Sequence, residues 1–148
     1  MVFVQHILDA ARKRLAVLSQ GAPLTDAAAI LTNPDTPLVV VCDEQSIAVG
    51  VISSSDLVKV FATTKSNALG MNAGAIMSHP VVSCQVDDPL QRVWEVINPR
   101  SLRCVPILDT NRRPQGVLHA REVALALLNE VEYEEGLLRD YFLGVGYQ

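Results

Sequence analysis

Apolar positions along the chain change period several times, and each change marks an element. Leu24, Ala27, Ala28 and Leu31 recur at i, i+3, i+4 and i+7, which predicts a short helix with one buried face. Leu90, Val93, Trp94 and Ile97 take the same offsets, with Trp94 assigned to the core. Pro23 and Pro89 stand near the first helical turn, where a missing N–H costs nothing, and Asp88 is a credible N-cap. Pro34 and Pro99 close both patterns. Unbroken apolar runs follow at Leu38–Cys42 and Cys104–Leu108; they suit strands buried on both faces, as parallel pairing requires. Pro106 inside the second run predicts an edge position or a local break in the ladder.

Asp43-Glu44-Gln45-Ser46 and Asp109-Thr110-Asn111-Arg112 read as hairpin turns, leading into strands at Ile47–Ile52 and Pro114–Leu118. Helices are expected from Ser54 to Phe61 and from Ala120 to about Tyr133, and short leading strands at Leu15–Leu18 and Val81–Cys84. Residues 62–74 are small, polar and glycine-containing and read as a linker, with a helical turn at Ala75-Ile76-Met77. An acidic helical run, Glu130–Glu135, is expected to stop near Gly136. Leu137, Leu138, Tyr141, Phe142 and Leu143 then form an apolar patch suited to contact with another subunit.

The two series are one series repeated. Pro23-Leu24 returns as Pro89-Leu90, Val39 as Val105, Asp43 as Asp109 and Gly50-Val51 as Gly116-Val117, each 66 positions later. A fixed register across turn formers and core formers marks a duplicated supersecondary unit. Two copies filling most of the chain predict a pseudo-symmetric pair with its site at the seam.

Composition narrows the function. Charged residues make up 19% of the 148, below the roughly 25% of typical domains, so much of the surface is expected to be buried or covered by a second subunit. A net charge of −4 gives no footprint for nucleic acid. No apolar run approaches the ~20 residues of a membrane-spanning helix, and the N-terminus lacks the charge order of a secretory signal. Cys42, Cys84 and Cys104 have no metal-ligand or CxxC spacing; Cys42 and Cys104, in or beside apolar runs, read as buried reduced thiols, so a soluble cytoplasmic protein is expected.

Chemistry concentrates at Gly50-Val51-Ile52-Ser53-Ser54-Ser55-Asp56, a strand ending in hydroxyls that runs into a helix. Ser53 and Asp56 have the spacing of a capping box. The same geometry suits a nucleotide: free N–H groups at a helix start favour phosphate, and a carboxylate beside them can accept from two ribose hydroxyls. In the second copy the string is Gly116-Val117-Leu118-His119-Ala120-Arg121-Glu122. His119 replaces the hydroxyl, Glu122 replaces the aspartate, and Arg121 offers a cation. His6, His79 and His119 share no metal spacing. No Gly-x-Ser-x-Gly elbow, GxGxxG or phosphate loop occurs, and neither catalytic residues nor a required cofactor is indicated.

These strings resemble a tandem pair of cystathionine β-synthase (CBS) domains. The family's repeat closes on Gly, two apolar residues, Thr or Ser, two variable positions and Asp, which Gly50–Asp56 fits. Its aspartate after the central strand corresponds to Asp43 and Asp109. Ala75-Ile76-Met77-Ser78-His79-Pro80-Val81-Val82 is similar to its lead-in, and Val4–Leu8 resembles a worn version of it. The resemblance implies an α+β (α/β) fold: two βαββα repeats packed about a pseudo-twofold axis, sheets facing and helices outside. Residues 1–65 and 75–128 would be the repeats, 66–74 the linker and 129–148 a tail for subunit contact. It implies two clefts for adenosyl ligands such as AMP, ADP, ATP, NAD or S-adenosylmethionine. Asp56 would hold ribose, Ser53 and Ser54 would approach phosphate, and backbone at Leu38, Val39 and Val40, with Val51 nearby, would meet adenine. His119, Arg121 and Glu122 would line the second, altered cleft, and Val105 and Pro106 are further candidate ligand contacts. A homodimer acting as a stand-alone sensor for an unidentified regulated protein follows from the resemblance. A ligand-free scaffold is the alternative; no activated nucleophile, acid–base pair or metal set supports an enzyme.

Overall fold

A computed structural model describes residues 1–146. Its elements are α1 (Leu8–Lys13), β1 (Val17–Ser19), α2 (Leu24–Leu31), β2 (Leu38–Cys42), β3 (Ala48–Ser53), α3 (Ser54–Thr64), α4 (Ala73–Ile76), α5 (Leu90–Ile97), β4 (Cys104–Leu108), β5 (Pro114–His119) and α6 (Ala120–Gly146). Short 3-10 turns cover Val4–Ile7 and Lys65–Gly70. The segment read as a linker is therefore largely helical, and Asn72 caps α4 by accepting from the Ala75 amide.

β2 lies between β1, to which it is parallel, and β3, to which it is antiparallel. Its five residues are all buried, as the unbroken apolar run predicts. Alternate side chains go to opposite faces. Val39 and Val41 join Leu24, Ala27, Ile52 and Leu57 beneath the helices; Leu38, Val40 and Cys42 face the other sheet. The second copy repeats the helix-side core at the same register with Leu90, Val93, Val105, Ile107, Leu118 and Val123. Leu108 and Val117 complete the layer between the sheets. The fold is mixed α and β, with two facing sheets and helices outside.

Three expectations need correction. The strand at Val81–Cys84 reduces to a single parallel bridge, Cys84 to Ile107. In the first copy the Val40 amide donates to the Ala16 carbonyl at 2.9 Å. Its counterpart is Pro106, which has no N–H, so that rung cannot form and β4 keeps only β5 as a full partner. Second, α6 does not stop near Gly136 but continues to Gly146. A single helical glycine costs about 1 kcal/mol, too little to break a helix with good formers on both sides. Third, Cys104, expected to be buried, is only partly so, whereas Cys84 is buried. Burial and then the Asp88 charge push the Cys84 thiol up to about 12.

The hairpins also show why each copy has an aspartate after its central strand. Asp43 Oδ1 accepts from the Gln45 and Ile47 amides at 2.9 and 3.0 Å, and Asp109 Oδ1 from Asn111 and Arg113, both at 2.8 Å. These bonds hold turns in which Ser46 and Arg112, 66 positions apart, adopt φ of 65° and 63°. The carboxylate does the work of an Asn-Gly turn.

The lead-in segments cross over. Val4 and Ala11 sit in the core of the second copy, and the Val4 and Gln5 amides donate to the Asp88 and Val86 carbonyls. Conversely, Ala73, Ile76 and Met77 pack into the core of the first copy. The repeated glycine makes both dockings possible. A Cβ on Gly116 would lie 2.9 Å from the Ala11 carbonyl carbon, and one on Gly50 would lie 2.8 Å from Met77 Cβ.

Candidate functional site

A cleft of about 590 Å³ opens between the sheets and is walled by both copies. That volume falls within the range of small-molecule sites. From the first copy it takes Leu38, Val51, Ser53, Ser54, Asp56 and Lys59; from the second, Ser78, Pro80, Arg103, Cys104, Pro106 and His119.

Asp56 organises the polar end. Its Oδ2 accepts from the Ser53 amide at 2.9 Å and the Ser53 hydroxyl at 3.1 Å, while the Asp56 amide reaches Ser53 Oγ at 3.4 Å. This is a capping box, so the structural role of the motif is realised. It does not use up the carboxylate. Oδ1 accepts one bond, from Ser78 Oγ at 3.2 Å, and a carboxylate has about four acceptor positions. A ligand hydroxyl can take the free position, and a second can replace the rotatable Ser78 hydroxyl. The amides that open α3 have no intrahelical partner and lie beside the hydroxyls of Ser53, Ser54 and Ser55. Lys59 and Arg103 are exposed members of the lining and give the cleft two cations against one carboxylate.

The remaining residues singled out in the sequence fall elsewhere. Val39 and Val105 point into the two helix-side cores, and Val40 is fully buried between the sheets. Strand alternation separates Val39 from Leu38, whose side chain does reach the cleft, while Val40 shares the face of Leu38 but is covered by the opposite sheet. Arg121 is exposed and lies outside the lining. Glu122 sits where pseudo-symmetry puts the counterpart of Asp56, but its Oε1 is paired with Arg14 Nη1, and the Arg14 guanidinium also donates to the Val117 carbonyl at 3.3 Å. Arg14 is the register counterpart of Pro80, which lines the open cleft. At the position of a wall residue, this half thus carries a cation that reaches the carboxylate itself.

His119, expected in the second cleft, lines the open one instead, and it stands in for the missing capping hydroxyl: its Nδ1 accepts from the Arg121 amide at 3.1 Å, and its own amide donates to Glu122 at 3.4 Å. Burial, then the Arg121 and Arg14 guanidinium groups, push the imidazole below its ordinary value, with Glu122 opposing. Burial also raises the Cys104 thiol, to about 11.

Sequence reasoning passed over Ser78, Lys59, Arg103 and Arg14. Ser78 carried a signal, since it lies in the lead-in that must reach the other copy. Arg14 carried one only through its register with Pro80. Among the described residues no group of three or more His, Cys, Asp or Glu could hold a metal, and no helix is long and apolar enough to cross a membrane.

The family model described as "CBS domain" matches residues 4–63 and again 73–129. Among curated proteins the chain is similar to a homoserine O-acetyltransferase of Methanohalobium evestigatum, 22% identical over 82% of this chain and 24% of the relative. It is also similar to an L-aspartate semialdehyde sulfurtransferase of Methanocaldococcus jannaschii, 26% identical over 68% of this chain and 19% of the relative. The chain thus spans a quarter or less of the length of these curated relatives. Among solved structures, a CBS-domain containing protein from Agrobacterium tumefaciens superposes with a TM-score of 0.73 at 26% identity, covering 84% of this chain and 98% of that one. The CBS domain pair of protein MJ0100, in complex with 5'-methylthioadenosine and S-adenosyl-L-methionine, gives 0.73 at 22%, covering 88% and 98%. CBSX2 in complex with AMP gives 0.73 at 21%, covering 87% and 98%. Matched twice along its length and folded as the solved pairs fold, this chain belongs to the CBS-domain family.

Proposed function

We propose that the chain is a regulatory module that binds one adenosyl ligand in the cleft between its repeats and signals by a change in how the repeats pack. The observation that carries this reading is the Asp56 carboxylate with spare acceptor capacity beside the start of α3, in a cleft whose opposite wall comes from the other copy. Ribose hydroxyls would bond Asp56, and a phosphate would meet Ser53, Ser54 and the α3 amides. The adenine would lie among Leu38, Val51 and Pro106. Solved pairs of this fold carry AMP, 5'-methylthioadenosine and S-adenosyl-L-methionine, which supports an adenosyl compound as the class. Because the ligand touches both repeats, it binds one relative packing better than another, and that difference is what a regulated protein would read. The module would work as a cytoplasmic homodimer without catalysing a reaction.

A panel of AMP, ADP, ATP, NAD and S-adenosylmethionine in thermal-shift and titration calorimetry tests it. A ligand at one hundred times its dissociation constant adds about 2.7 kcal/mol of stability. Asp56→Ala removes hydrogen bonds to a charged acceptor and should weaken binding by about 2–3 kcal/mol, roughly 30- to 150-fold. The Arg14–Glu122 pair in the counterpart position favours a second reading, a scaffold that has lost its ligands. A panel silent at millimolar concentration would establish that reading instead.

A further inference from the structure

Helix α6 is 27 residues long, about 40 Å at 1.5 Å per residue, and among the described residues it is the first part that packs against the core. Val123 lies in the core of the second copy, Ala126 and Leu127 pack against that core, and Glu130 pairs with the Met1 amino group at 3.0 Å. Beyond this the large apolar side chains are exposed: Val131 by 49%, Leu138 by 60% and Phe142 by 70%. With Leu128, itself 52% exposed, they follow the alternating three- and four-residue steps of a heptad seam, interrupted only by Glu135.

From this we infer that α6 pairs with α6 of a second copy along Leu128, Val131, Leu138 and Phe142, with the two helices antiparallel. Two features identify the occupant and its direction. A heptad seam is complementary to a seam of the same spacing, and a twofold axis supplies one at no further cost in sequence. The charges then choose the orientation. Arg139 is the only cation between Glu122 and Gly146, among Glu130, Glu132, Glu134, Glu135 and Asp140. Parallel helices in register would set Glu135 against Glu135. Antiparallel helices set Glu135 against Leu138 and bring Arg139 beside Glu132 of the second copy, twice by symmetry. This pairing goes beyond the proposed ligand function and holds whether or not the cleft is filled.

The test is sedimentation equilibrium of the full chain over a dilution series, with urea unfolding run in parallel. The parent should shift from one to two chains as concentration rises. Leu138→Asp with Phe142→Asp should stay monomeric while its urea midpoint, read at a concentration where the parent is also monomeric, matches the parent. Glu135→Leu should tighten association at least tenfold, and Arg139→Glu should weaken it. A parent that remains monomeric overturns the inference. So does a dimer that survives the double aspartate variant, because its interface then lies elsewhere, or one that ignores Arg139→Glu, because the charge pairing is then absent.

Discussion

Replacing Arg14 by Met isolates what fills the counterpart of the open cleft. The methionine keeps an apolar stem against the wall and removes the cation that Glu122 faces. The side chains are 23% and 24% exposed, so about three-quarters of each is out of water. Exposed pairs contribute about 0.2–1 kcal/mol, whereas removing one partner of a buried pair costs about 3–5. This pair sits between those limits. Its loss also removes the bond from the guanidinium to the Val117 carbonyl. We expect Arg14→Met and Glu122→Gln each to destabilise by about 1.5–3 kcal/mol, and the double variant by less than their sum, with a coupling of about 1–2 kcal/mol. Urea midpoints at unchanged slope give all four corners of the cycle. Single variants within about 0.5 kcal/mol of the parent, or a coupling below the additivity error of about 0.3 kcal/mol, would refute the reasoning. Those values would mean that Glu122 is solvated and its cleft open. The same variants then serve the ligand question, since opening that position with Arg14→Ala and Glu122→Asp should raise the binding stoichiometry above one per chain.

Other consequences follow from the same geometry. Gly116→Ala should cost about 1–3 kcal/mol by overpacking against the Ala11 backbone, and more than Gly50→Ala, whose obstacle is chiefly the flexible Met77 side chain; equal urea midpoints would contradict the crossed lead-ins. Cys104, raised to about 11, is only about one part in a thousand thiolate at pH 8, so disulfide-reagent labelling should be slow throughout. Cys104, the thiol in the cleft lining, should react first and be protected by bound ligand; equal rates at Cys84 would count against the assigned burial. For His119 the folded value lies below 6.5, so the unfolded chain binds the proton more readily. Its stabilising contribution is complete above pH 6.5 and is lost as pH falls through the folded value. His119→Gln should therefore flatten the fall in urea midpoint between pH 7 and pH 5, and an unchanged slope would place the imidazole in solvent.

The core was legible because burial leaves few choices. Leu24, Ala27, Val39, Val41, Ile52 and Leu57 recur with apolar partners 66 positions on, and the helix-side core of each copy is built from that series. The Asp43 and Asp109 turns were equally readable, since one carboxylate serving two amides fixes the residue type. What escaped were consequences of contact between the copies. The rung missing at Pro106 left Val81–Cys84 without a ladder, and the crossing of Val4–Ala11 into the second core depends on packing that local periodicity does not encode. The extension of α6 escaped for another reason: a single glycine lowers helix propensity but does not end a helix with good formers on both sides.

The divergence between the halves follows the same division. Positions that support each fold can change only between apolar residues, as Leu57 to Val123 or Ala27 to Val93. Positions that face the clefts are free of that constraint, and there Ser53 corresponds to His119, Asp56 to Glu122 and Pro80 to Arg14. The substitutions are mutually consistent. A longer acid reaches the arginine, the arginine neutralises it, and the imidazole takes over the cap that the hydroxyl supplied. In the first half Asp56 keeps both its cap and its spare acceptor position. Twofold architecture with one carboxylate satisfied internally and the other left able to accept is what the proposed binding of one ligand across the seam requires.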